Sequence, residues 1–94
     1  MAPSRAERIR TALETAFAPA RVVVQDDSAK HAGHAGARPG GETHYSVAVV
    51  SPAFAGQSRV ARSRAVHAVL DGEFQGGLHA LALRLMTPEE AARA

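Results

Sequence analysis

The chain has no cysteine, no tryptophan, a single lysine and only four aromatic side chains, three phenylalanines and one tyrosine. Without cysteine it forms no disulfide, and it builds no zinc ribbon, redox CxxC pair or iron–sulfur site from its own thiolates. Large apolar residues are also scarce. Of 43 apolar residues 21 are alanine, and Val, Leu, Ile and Phe together number only 19. A core that thin fills about one layer of helices on one small sheet. No apolar run approaches the ~20 residues that a membrane helix needs, so no membrane partner is expected. The N-terminal stretch MAPSRAERIRTALETAF is amphipathic and of mixed charge, unlike a secretory signal, and Glu7 and Glu14 are unlike an organellar transit peptide. The expected location is cytoplasmic. A net charge of +2 is too small to point to nucleic acid, although ten arginines and a pI of about 9.9 keep that question open. The 94 residues are expected to form one domain, 1–94, with an ordered core at about 5–90.

Ile9, Leu13 and Phe17 fall four apart, which predicts a helix over 4–17 with one apolar stripe. Ser4 is its N-cap with Glu7 at capping-box spacing, and Pro19 stops it. The β-branched run Arg21–Asp26 reads as a strand. A long glycine-rich loop follows at about 27–43. His44–Ser51 then alternates, with Tyr45, Val47 and Val49 on one face. Ser58 opens a second helix that reaches about Leu70, with Val66, Val69 and Leu70 as its stripe and Arg59, Arg62 and Arg64 on a face taken to be solvated. Gly76–Gly77 breaks the chain. Leu78–Met86 alternates again, with His79, Leu81, Leu83 and Leu85 on one side. Thr87-Pro88-Glu89-Glu90 starts a last helix. The order α-β-β-α-β-α is an α+β domain: an antiparallel first pair, a right-handed parallel crossover to the third strand, and helices on one face of a three-stranded mixed sheet.

Five histidines without a cysteine are the chain's most informative bias. Imidazole suits zinc, copper, iron and nickel. Scattered histidines are more often surface or packing groups, and His67 on the flank of a helix fits that description. His79 stands out, because it heads a row of leucines where a strand leaves a Gly-Gly turn. The glycine-rich loop lacks GxGxxG and GxxxxGK[ST] and runs into a strand, so it is no nucleotide site. Asp26 and Asp27 are adjacent and point apart in an extended chain, and Ser28 has no evident base. No catalytic constellation emerges, and the chain is read as non-enzymatic. The arginines at the start of the second helix are the only nucleic-acid candidates.

These pieces resemble the BolA family over nearly the whole chain. The resemblance is carried by Asp27-Ser28 and His31, by Gly41-Glu42-Thr43-His44-Tyr45 leading into Val47-Ala48-Val49-Val50-Ser51, and by Phe54-Ala55-Gly56-Gln57-Ser58-Arg59-Val60 with Arg62 and Arg64. Gly77-Leu78-His79-Ala80-Leu81 and Thr87-Pro88-Glu89-Glu90 complete it. The resemblance implies a class II KH-like fold and a working partner, a monothiol glutaredoxin. The pair would share a [2Fe–2S] cluster, with glutaredoxin and glutathione supplying thiolates. His79 matches the family's C-terminal motif histidine, and His31 the ligand of its variable loop, with His34 as alternate and His44 third. The competing reading is a KH-like DNA-binding regulator that would use Arg59, Arg62 and Arg64. Its GxxG clamp is replaced by Gly56-Gln57-Ser58-Arg59.

Overall fold

The computed structural model describes residues 3–27 and 44–93. The expected loop at 27–43, with His31 and His34, lies outside the described residues except for Asp27. Helix α1 (Arg5–Ala16) is capped by Ser4, whose hydroxyl accepts from the Glu7 N–H at 3.2 Å. The Glu7 carboxylate turns outward to Arg10 at 3.1 Å. Strand β1 (Arg21–Asp26) pairs antiparallel with β2 (His44–Val50), and β2 pairs parallel with β3 (Ala80–Met86). The sheet order β1-β2-β3 is the expected mixed sheet. A 3₁₀ turn (Pro52–Phe54) and helix α2 (Arg59–Val69) connect β2 to β3, and α4 (Pro88–Arg93) ends the described chain.

The core follows the pleat of β2. Tyr45, Val47 and Val49 are buried, and they meet Ile9, Leu13 and Phe17 of the α1 segment with Val66 and Leu70 of the α2 segment. Burying each large apolar side chain contributes about 1.5–3 kcal/mol. Ser51, expected as the strand's last residue, is instead a buried tie. Its hydroxyl donates to the Phe17 carbonyl at 2.6 Å and accepts from the Ala53 N–H at 3.1 Å, so the end of α1 is fastened to the 3₁₀ turn.

Three expectations are corrected. The stretch after α2 is a further helix, α3 (Asp71–Gln75), and not simply a break before Gly76–Gly77. Five residues are too few to show a period. Val69 is 37% exposed, because only Val66 and Leu70, four apart, share the inward line of α2. Arg62 is not on a solvated face. It is 8% exposed and donates to Gln57 O, Leu85 O and both oxygens of Glu90, at 2.6 and 3.1 Å for the last two. Glu90 is pinned from the other side by a capping box. Its carboxylate accepts from the Thr87 N–H at 2.9 Å, while its own N–H donates to the Thr87 hydroxyl at 3.2 Å.

The Arg62 guanidinium, and then the Thr87 N–H, hold the Glu90 carboxyl down at about 2. A carboxyl whose folded pKa is depressed stabilises the fold above its unfolded pKa, and that contribution fades as pH falls through the folded value. Lowering pH from about 4.5 to about 2 therefore removes the α2–α4 tie. Thermal melts across this range are expected to be flatter for Glu90→Gln than for the parent protein. An unchanged acid slope in the variant would assign the acid loss to other carboxylates, Glu73 first.

Candidate functional site

The site is built from the turn that delivers His79. After α3 the chain turns back on itself. Gly77 has φ +118°, a backbone conformation that L side chains rarely adopt. Leu78 donates its N–H to the Glu73 carbonyl at 2.9 Å and is buried as a plug. His79, one residue before β3 and therefore not within it as the alternation suggested, is left exposed at the rim of the sheet. The turn is braced from α1. Arg5 Nε and Arg8 Nε reach the Glu73 carboxylate at 3.1 and 2.8 Å, and Arg5 Nη2 donates to Gly76 O at 2.8 Å. The hydrogen bond from Arg8, aided by Arg5, holds the Glu73 carboxyl below the usual carboxylate range.

His44 opens β2, and the parallel register sets it opposite Ala80, the residue after His79. The two imidazole rings lie edge to face with centroids 5.8 Å apart. At the same end of the sheet Asp27 donates its N–H to the His44 carbonyl at 2.8 Å, and its carboxylate accepts from the Ser46 hydroxyl. Both ends of the 28–43 segment thus lie at the same end of the sheet as His79, His44 on the neighbouring strand and Asp27 across β2 from it. Two imidazoles offer borderline nitrogen donors at an accessible rim. Among the described residues no three His, Cys, Asp or Glu side chains gather as a metal site. The juxtaposition of His44 with His79 was legible in principle: two strands expected to run parallel bring their first residues together.

The expected arginine group does not act as one. Arg62 is committed to Glu90 and to carbonyls inside the fold, while Arg59 and Arg64 are exposed on α2. His67 stacks on Phe74 at 5.0 Å with the rings 14° from parallel, which is a packing role.

The family model described as BolA-like protein matches residues 13–90. The chain is 42% identical over 90 residues to Protein BOLA1, chloroplastic, of Arabidopsis thaliana, covering 94% of this chain and 56% of that one. It is 44% identical over 91 residues to SufE-like protein 1, chloroplastic/mitochondrial, of the same plant, covering 93% of this chain but only 24% of that longer protein. The solved BolA domain of SufE1 from Arabidopsis thaliana superposes with a TM-score of 0.83 at 42% identity, covering 96% of this chain and 99% of the domain. Among the described residues no helix is long and apolar enough to cross a membrane. With a family match over residues 13–90 and a fold that superposes on a solved BolA domain across 96% of its length, the chain belongs to the BolA-like protein family.

Proposed function

We propose that this protein is a non-enzymatic partner of a monothiol glutaredoxin, and that the pair, with glutathione, holds a [2Fe–2S] cluster as cargo for iron–sulfur trafficking or iron and redox regulation. The observation that carries the reading is the placement of His79: exposed at the sheet rim, 5.8 Å from the His44 ring, and at the end of the sheet where a segment that carries two more histidines begins and ends. A [2Fe–2S] cluster takes four ligands, normally thiolates, and histidine pairs substitute at a raised potential. This chain has imidazoles and no thiol, so its ligand set is completed by a partner that brings sulfur.

His79 is the first ligand, because buried Leu78 and the Glu73 brace hold the backbone on which it stands. The second ligand comes from the 28–43 segment. His31 follows Asp27 by four residues and His34 by seven, so at about 3.6 Å per residue covalent reach alone keeps His31 within about 14 Å of that anchor. His31 is favoured, with His34 as alternate. A ligand from this long, glycine-rich stretch is expected to exchange more readily than His79, since fixing a chain on a metal costs about 1–2 kcal/mol per residue ordered.

The test mixes the protein with a monothiol glutaredoxin, glutathione, iron and sulfide, then reads visible absorption and mass. A coloured heterodimer is expected, with a colourless protein when the chain is treated alone. His31→Ala should keep the heterodimer, alter its spectrum and shorten the cluster lifetime, while His34→Ala should do little. A larger effect from His34→Ala moves the loop ligand by three residues, and failure to form any coloured complex overturns the reading.

A further inference from the structure

The third strand ends the sheet, and its outer edge is unpaired among the described residues. The hydrogen-bond phase identifies which groups it presents. Met86 O accepts from the Ser51 N–H at 2.9 Å, on the β2 side, so the even-numbered residues of β3 bond inward. The polar groups of Leu81, Leu83 and Leu85 therefore face outward, because successive residues of a strand alternate. Arg62 Nη1 donates to Leu85 O at 3.1 Å from that outer side, as the phase requires. The N–H and C=O of Leu81 and Leu83 and the N–H of Leu85 are left facing out, at the repeat of about 6.6–6.8 Å at which another peptide strand presents its own groups.

This edge borders a groove of about 400 Å³ between α2 and β3, lined by Arg59, Ser63, Leu83, Arg84 and Leu85 with Arg62 at its floor. Neither Arg59 nor Arg84 has an acidic partner among the described residues. Leu83 and Leu85 are half-buried and line the helix side, whereas Arg84 projects on the open face. Native edge strands are commonly blunted by proline, bulges, charged side chains or a covering element. Among the described residues β3 has no proline and no covering element at its middle, and its one charge, Arg84, repels a basic strand but not an acidic one. A second copy is a poor occupant, since pairing two β3 edges gathers the arginines of both chains on one seam. Single-stranded nucleic acid is poorer still. Among the described residues the groove has no aromatic side chain for base stacking, and outward carbonyls oppose phosphate oxygens.

We propose that the free edge of β3 accepts an extended acidic segment of a partner protein as a fourth strand, with its apolar side chains on Leu83 and Leu85, its carboxylates beside Arg84 on the open face, and Arg59 attracting it from the α2 side. This surface is separate from the histidine rim and does not depend on a cluster being bound there. The test uses two seven-residue peptides, one alternating valine with glutamate and one alternating valine with lysine, at neutral pH. The glutamate peptide is expected to bind about tenfold more tightly, the yield of a few exposed ion pairs turned from repulsive to attractive. It should slow hydrogen exchange at the Leu81 and Leu83 amides. The double variant Arg59→Glu, Arg84→Glu should invert the preference. Of two versions of the peptide N-methylated on alternate amides, one in each phase, only one should retain binding. Equal affinity for the two unmodified peptides, or unprotected Leu81 and Leu83 amides, overturns the proposal. An oligothymidylate that protects those amides better than the glutamate peptide replaces it with nucleic-acid binding.

Discussion

A heterodimer assembled with His79→Ala is expected to lose its cluster at least about tenfold faster than the parent complex. Removing even an outer group that orients a metal ligand commonly costs 10–100-fold in metal affinity, and a direct ligand costs no less. His79 has no substitute on its own turn, because Leu78 is buried and Ala80 enters the strand. The His44 ring lies edge-on to His79, so His44→Ala should shift the spectrum without abolishing it. His67→Ala should leave cluster lifetime alone, since that ring is stacked on Phe74. Imidazole binds iron only when neutral, and its unperturbed pKa is about 6.5. Taking the parent complex from about pH 8 to about pH 5.5 should therefore speed cluster loss, and His79→Ala should flatten that profile. Identical spectra, lifetimes and pH profiles for parent and variant would remove His79 from the ligand set, whatever the glutaredoxin does.

The parts of this protein that could be read from its sequence are those with a period or a cap. β1 shows as a β-branched run, β2 and β3 by alternation, α1 by residues four apart, and α4 by the Thr87 cap with Pro88 behind it. The mixed topology follows from a loop between the first two strands and a helix between the last two. What escaped depends on contacts between distant segments. The burial of Arg62 requires Glu90, 28 residues later, to arrive at the same place. Nothing local separates Arg62 from Arg59 or Arg64, which remain exposed. Helix α3 is too short to carry a period, yet its Glu73 receives Arg5 and Arg8 from the start of the chain and so sets the turn that presents His79. His79 itself was legible through its motif. Its neighbour His44 ranked low, because pleat position explains a strand's first residue until the parallel register is known.

Phe54 shows the same limit in the core and carries the largest expected stability loss. It sits in a three-residue 3₁₀ turn behind Pro52, with no periodic neighbours to mark it, yet it is fully buried. Its ring lies 5.0 Å from that of Phe17, tilted by 43°, and the Arg62 guanidinium carbon is 5.8 Å from the ring centre. Phe54 thus joins the end of α1 to the Arg62–Glu90 tie, beneath the same turn that Ser51 fastens. Phe54→Ala is expected to cost about 3–5 kcal/mol, the range for emptying a buried aromatic site. For a domain of this size each kcal/mol lowers Tm by about 4–8 °C. With so few large apolar residues to refill the space, the cavity has little prospect of closing. Phe54→Leu keeps most of the volume and should cost far less. Urea melts of the three proteins check this, read as shifts in midpoint at constant slope. A loss below about 1 kcal/mol for Phe54→Ala, well under the range for an emptied buried site, would mean that neighbouring side chains collapse into the space and that the junction of α1 with the 3₁₀ turn is looser than the buried Phe17–Phe54 contact implies.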